Sequence, residues 1–361
     1  MNVSTLPPQF GILLEMNKKI FIIFLLTCTP FAFAENVIVY QQSGKFCAWP
    51  ANEGVWSWGN EILVGFNIGV YKYNPDGHSV DPDYATDTVQ ARSLDGGQTW
   101  TLETPQVLNQ GGFQKPIGAI NFTHPDFAYK SRLSKYYFSY DRGRNWQGPF
   151  EFPKLDQTRL IARTDYIVNS QCEVLFFVTA AKSDGVEGRT FCAVTKNAGR
   201  TFDFLSWVAP SPPIDAGDHN FTVMSSTVKI ADDTYITALR QRRGNSQYID
   251  IYKSIDGAKS WNYLSLVVNN INNPPAMLKL ADGRICIAYG QRYSPYGIKA
   301  KISTDNGQTW GSEITLRNDG LSWDLGYPRS IQRPDGKIVT IYYYATVTNP
   351  QQHIAATIWQ P

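Results

Sequence analysis

Apolar and polar residues alternate with a period of two in five short runs: DTVQARS, SKYYFSY, RTFCAVT, QYIDIYKS and GIKAKIS. Strict alternation with β-branched and aromatic residues predicts half-buried strands. Each run leads into an octet of one form: SLDGGQTW at 93–100, SYDRGRNW at 139–146, TKNAGRTF at 195–202, SIDGAKSW at 254–261 and STDNGQTW at 303–310. The octets start 46, 56, 59 and 49 residues apart, too far for a helical hairpin repeat and suited to a four-stranded unit. The octet is then a turn between two strands. Asp95, Asp141, Asp256 and Asp305 would accept backbone N–H bonds within it. Gly97, Gly143, Gly199 and Gly307 would supply positive φ. Trp100, Trp146, Phe202, Trp261 and Trp310 would tuck their rings between strands. A catalytic group is needed once rather than five times, and a calcium loop needs more oxygen ligands than one Asp. No metal or cofactor is expected.

The pattern around the octets extends to a full unit of strand A, turn, strand B, loop, strand C, octet and strand D. TVMSSTVKI, TYITALR and QYIDIYKS show it in the fourth unit; PAMLKL, RICIAYG and GIKAKIS in the fifth. The last unit runs through YPRSIQ, KIVTIYYYA and HIAATIW and stops without octet or fourth strand. NVIVYQQ, at 36–42, is a lone strand that would complete it and remove two sheet edges. The expectation is an all-β, six-bladed β-propeller of four-stranded antiparallel blades over 35–361, closed by its N-terminal strand, with roughly 54 residues per blade.

Composition narrows this little: 43% apolar residues allow a large core, and a net charge of +2 offers no basic surface for nucleic acid. The N-terminus changes more. MNKKIFIIFLLTCTPFAFA, Met16 to Ala34, reads as a secretory signal peptide with a basic start, a short apolar run and Ala32-Phe33-Ala34 before Glu35. The apolar run is too short to span a membrane. Residues 1–34 are therefore a leader, with Met16 a candidate initiator, and the mature chain is secreted or periplasmic. Cys47, Cys172, Cys192 and Cys286 remain, and the strand reading favours buried free thiols over disulfides.

Candidate chemistry gathers where strand A begins and where B meets C, the face opposite the octets. The first unit brings Trp49, Asn52, Glu53 and a long loop with His78, Asp81 and Asp83. The third brings Arg163, Asp165, Tyr166, Glu187 and Arg189; the fourth His219, Arg240, Arg242 and Arg243; the fifth Arg292 and Tyr293; the last Asp324, Tyr327 and Arg329. Arginine forks suit carboxylates and sugar hydroxyls, and aromatic rings suit sugar faces.

The Ser-x-Asp-x-Gly-x-x-Trp octet resembles the Asp-box, or BNR repeat, of the sialidase (neuraminidase) superfamily, and the resemblance covers almost all of the mature chain. It implies a carbohydrate-active enzyme. In that family three Arg hold the substrate carboxylate, a Tyr paired with a Glu is the nucleophile, and an Asp is the acid/base. By that likeness Tyr327 is the nucleophile, Arg240 and Arg292 bind substrate, and Asp81 or Asp83 serves as acid. Arg163, Asp165, Arg329 and Trp49 would join as substrate contacts and His78 as a further catalytic candidate. Two departures stand out. The family's Arg-Ile-Pro element corresponds to Ala48-Trp49-Pro50, and the Glu of the fourth blade falls near Met224. Without that base a neutral phenol is a poor nucleophile at pH 7. The resemblance therefore implies a hydrolase for an acidic oligosaccharide or polysaccharide other than ordinary sialosides. A polysaccharide lyase on uronic acids and a non-catalytic glycan-binding propeller are the alternatives.

Overall fold

The computed structural model describes residues 34–115, 118–212 and 220–361. The alternating runs are strands, as expected, and pair into antiparallel meanders of neighbouring segments. The first holds Lys45–Ala48 and Val55–Trp58 side by side on Glu61–Val70, then Asp87–Ser93 and Thr101–Glu103. Ala128–Arg132, Lys135–Ser139 and Gln147–Glu151 form a three-stranded second. The third runs Leu160–Val168, Val174–Ala181, Glu187–Thr195 and Asp203–Trp207; the fourth Phe221–Ala231, Thr234–Arg243, Ser246–Ser254 and Asn262–Asn269. These two join through a single parallel bridge, Arg189 to Thr222. Ala276–Lys279, Ile285–Gln291, Gly297–Ser303 and Ile314–Arg317 form the fifth. In the last, Gly326–Gln332, Ile338–Tyr344 and His353–Trp359 are followed by the N-terminal strand Glu35–Tyr40, which pairs antiparallel with His353–Trp359.

The octets are turns, and their hydrogen bonds repeat. Asp95 Oδ1 accepts from the N–H of Gln98 (3.0 Å) and Thr99 (2.9 Å), while Ser93 Oγ accepts from Gly97 N at 2.8 Å. Asp141, Asp256 and Asp305 accept from Asn145, Ser260 and Thr309 in the same way, and Asn197 does so from Thr201. In the fourth octet the residue opposite Gly97 is Ala258, held at φ 66°. Trp146 is buried; Trp100, Phe202, Trp261 and Trp310 are half-buried against the cores between meanders.

The first strands of the meanders lie together. Thr164 Oγ1 donates to Glu53 O at 2.8 Å, Asp165 accepts from Thr227 N and Oγ1, and Ser226 Oγ accepts from Met277 N at 2.8 Å. Arg329 Nη2 donates to both Ala51 O and Thr164 O at 2.6 Å, tying the last, first and third meanders at one point. Arg333, just past the far end of Gly326–Gln332, donates to Gly96 O in the first octet. At 3.3 Å per residue this puts the octet turns about 20 Å from Tyr327. Asp95 therefore belongs to the opposite end of the strands from Tyr327.

Cys47, Cys192 and Cys286 are buried free thiols, as expected, but Cys172 is exposed. It sits in the turn before Val174–Ala181 rather than within a strand, so no neighbouring strand covers it.

Candidate functional site

Three residues at the site take the left-handed backbone that disfavours bulky side chains: Trp49 (φ 64°), which caps the short helix Pro50–Glu53, and Met224 (φ 56°) and Tyr327 (φ 49°) in the first part of two inner strands. Met224 and Tyr327 fall at breaks of strand register, Val223 to Ser226 and Gly326 to Arg329. Such backbone persists only where its surroundings hold it. At Tyr327 the hold is Asn273, fully buried, whose Oδ1 accepts from Tyr327 N (3.0 Å) and Gly290 N (3.2 Å). Its Nδ2 donates to Leu325 O at 3.0 Å.

The Tyr327 hydroxyl lies among arginines. Arg240 Nη1 is 3.2 Å from it, and the guanidiniums of Arg240 and Arg292 lie 5.9 and 5.3 Å from its ring centre. Burial by itself pushes the phenol pKa up, but the charges of Arg240, Arg292 and Arg163 outweigh it and bring it below its ordinary value. Glu187 opposes them and is itself bonded to Arg163. Each arginine is aimed by a neutral partner. Arg163 Nε donates to Asn52 Oδ1 at 2.9 Å, Arg240 Nε to Asn272 Oδ1 at 3.1 Å, and Arg292 Nε and Nη2 to Leu325 O at 3.1 Å. Met224 Sδ lies 3.4 Å from Arg240 Nη1, so a thioether stands beside this arginine where the resemblance places a Glu. The carboxylate nearest in effect, Glu187, comes from the third meander.

Beside this group stands His78, half-buried, with Nδ1 2.6 Å from Asp324 Oδ1. Asp324 is buried and also accepts from Ser79 N (3.1 Å) and from the Tyr343 hydroxyl (2.7 Å). Tyr343 accepts in turn from Arg292 Nη2 at 2.8 Å, so a hydrogen-bonded chain runs from Arg292 through Tyr343 and Asp324 to His78. The His78 ring meets Trp49 edge-on at 5.2 Å and lies 6.5 Å from Tyr327. With Nδ1 bonded to the carboxylate, proton traffic at this ring runs through Nε2.

Tyr327, Arg240, Arg292, Arg163, His78, Trp49 and Asp324 are thus gathered. Others take different places. Asp81 and Asp83 face Lys72 Nζ at 3.2 and 3.8 Å, Asp83 largely exposed, and the side chain their loop sends to Tyr327 is His78. Asp165, buried, and Arg329, half-buried, are ties between inner strands. Burial raises the Asp165 pKa and lowers that of Arg329. Glu53 is fully buried against Lys130 and Arg132. Arg189 stacks on Trp207, Tyr166 packs on Tyr129, Arg242 donates to Gly244 O, and Tyr293 is exposed, as is Arg243. His219 lies outside the described residues.

Asn272, Asn273 and Tyr343 escape a reading of the sequence. The first two sit in NNINNPP, which reads as a loop, and Tyr343 sits in an apolar run that reads as core. A pair of Asn followed by two Pro before an inner strand is the signal that could have found the first two.

A family model described as a BNR repeat-like domain matches residues 122–340. The chain belongs to the BNR repeat-like domain family. Solved structures share the fold. A protein of unknown function from Dyadobacter fermentans is similar at 24% identity and a TM-score of 0.69, over 90% of this chain and 98% of its own. A NanB sialidase variant from Streptococcus pneumoniae is similar at 11% identity and a TM-score of 0.59, over 90% of this chain and 70% of its own. The alpha-L-arabinofuranosidase of Fusarium graminearum is similar at 11% identity and a TM-score of 0.55, over 90% and 96%. No curated protein matches the sequence. At these identities the likeness is one of fold: this BNR-repeat chain has the propeller-like, all-β fold that glycoside hydrolases also use. Among the described residues no helix is long and apolar enough to cross a membrane.

Proposed function

We propose that this protein cleaves an acidic saccharide at Tyr327. The observation that carries the reading is a phenol buried among Arg163, Arg240 and Arg292, with its pKa lowered rather than raised. Three guanidiniums against two carboxylates, Glu187 and Asp324, leave positive charge in excess, and a substrate carboxylate would offset it. The same charges favour phenolate, which supplies in another way the activation that the missing Glu would give. In the hydrolytic reading Tyr327 Oη attacks the anomeric carbon, His78 gives a proton to the leaving oxygen, and water then releases the sugar. The fold's occurrence in a sialidase and an arabinofuranosidase supports carbohydrate as the substrate class.

The His78–Asp324 pair supports a second reading, a lyase. There His78 Nε2 takes the proton beside a uronate carboxylate that the arginines neutralise, and Tyr327 protonates the leaving oxygen. Products separate the two: a saturated reducing sugar, or an unsaturated uronide absorbing in the ultraviolet. A panel of acidic glycans read by mass spectrometry supplies the assay. Tyr327→Phe should lower turnover by about 10²–10⁴-fold while binding is nearly kept. Full activity in that variant would refute the proposal. With Ala48 standing where the family places an Arg, little sialic acid should leave ordinary sialosides.

We further infer six blades in one closed ring, supported by the pairing of Glu35–Tyr40 with His353–Trp359. Export follows from the Met16–Ala34 leader, and N-terminal sequencing of protein recovered outside the cytoplasm should begin at Glu35.

A further inference from the structure

Asp324 and its neighbours border more than the tyrosine site. A cleft of about 320 Å³ has Asp324 and Ser79 at one side and the rings of Tyr71, Tyr73 and Trp323 among its walls. It shares Pro350 and Gln352 with a second hollow of about 410 Å³, lined by Gln41, Gln42, Asn349 and Gln351. The two meet at these residues and are taken together as one groove, built by the loops of the first and last meanders and by the turn after the N-terminal strand.

The chemistry of this groove differs from that around Tyr327. Among the described residues its only formally charged lining residue is Asp324, already bonded to His78, Ser79 and Tyr343. The rest is aromatic rings, amides and hydroxyls, with Pro75, Leu321 and Pro350 as aliphatic wall. Tyr73 is 73% exposed, a large ring held in water at the groove. Gln352 is only 4% exposed, and its Oε1 is buried with no hydrogen-bond partner. A buried acceptor without a donor is unfavourable in the free protein, and an outward turn of the amide to meet a ligand hydroxyl would relieve it. Aromatic faces beside amide donors and acceptors, without counter-charges, match a ligand with apolar C–H faces and many hydroxyls. A polyanion or polycation would find no partner here.

We propose that this groove holds the neutral sugar units of a glycan whose acidic unit lies at Tyr327. This rests on the reading of Tyr327 as the acidic-sugar site and extends it. The substrate is a chain of mixed character, acidic at the point of cleavage and neutral along the groove. Gln352 and Tyr73 are binding residues, the first through a hydroxyl hydrogen bond and the second by stacking.

The test is an array of neutral and uronate-bearing oligosaccharides of graded length, followed by calorimetric titration of the best neutral chain. Wild type, Tyr73→Ala, Gln352→Leu and Tyr327→Phe are compared as full chains. Neutral chains should bind wild type, and Tyr73→Ala and Gln352→Leu should each weaken them about tenfold. Because Gln352 Oε1 has no partner to lose, Gln352→Leu should melt at the same temperature or higher while binding falls; a merely structural role would lower both. Tyr327→Phe should bind neutral chains as wild type does. Absence of neutral binding, or unchanged affinity in both groove variants, would overturn the proposal. Neutral binding lost on groove substitution, without turnover of any acidic glycan, would keep the groove and discard the catalytic reading. Turnover that depends on Tyr327 with no groove effect would do the reverse.

Discussion

Replacing Asn273 by alanine tests whether one buried amide holds the catalytic candidate in place. Its Oδ1 is the acceptor for Tyr327 N and Gly290 N, and its Nδ2 serves Leu325 O, which Arg292 also uses. Truncation leaves two buried N–H groups without an acceptor, each worth about 1–3 kcal/mol, so the loss should be about 2–6 kcal/mol. Against a typical stability of about 5–15 kcal/mol this is readily measured by urea denaturation. The neighbouring glycine sharpens the test. Gly326 has φ 101°, and a Cβ there would come within 2.4 Å of Asn273 Nδ2. Gly326→Ala should therefore cost less in the Asn273→Ala background, by about 1 kcal/mol or more, because the clash is gone and only backbone strain remains. A loss below about 1 kcal/mol for Asn273→Ala, or strict additivity with Gly326→Ala, would refute the account of how Tyr327 is held.

The octet carboxylates make stability acid-sensitive. Hydrogen bonds from Ser260 and Thr309 bring Asp256 and Asp305 to about 2; at Asp95 burial opposes, but the Thr99 bonds prevail and also give about 2. Lowered carboxylate pKa values contribute stability above the unfolded value near 4, so urea midpoints should fall as pH drops from about 4 to about 2, and an Asn triple variant should lose that slope. Asp95→Ala should cost about 1–3 kcal/mol in chemical denaturation while specific activity of the folded protein stays near wild type, since the turn lies at the far end of the strands. Lys130→Met leaves fully buried Glu53 with Arg132 as its remaining charged partner (3.1 Å), and should cost about 3 kcal/mol by the same measurement. Deleting Glu35–Tyr40 uncovers the edge of His353–Trp359, and light scattering should report association; unchanged melting and a monodisperse solution would count against closure by this strand.

Alternation and the octets were enough for the strands, the turns, the separation of Asp95 from Tyr327 and the membership of the family. These are local properties: a period of two, an Asp that bonds the next turn, a ring that caps it. A repeated local rule is legible because each copy restates it. The site is legible only in part. Tyr327, Arg240, Arg292 and Arg163 were found because they sit at ends of inner strands, where the propeller-like fold gathers side chains. Only the tertiary structure decided among the charged residues of that face. It sent His78 rather than Asp81 to Tyr327, used Asp165 and Arg329 as ties between strands, and set Glu187 against Arg163. It also recruited Asn273 and Tyr343, whose roles arise from partners 54 and 19 residues away. A side chain's charge can be read from its letter, but the cost of burying it, and so its partner, depends on which distant strands close over it.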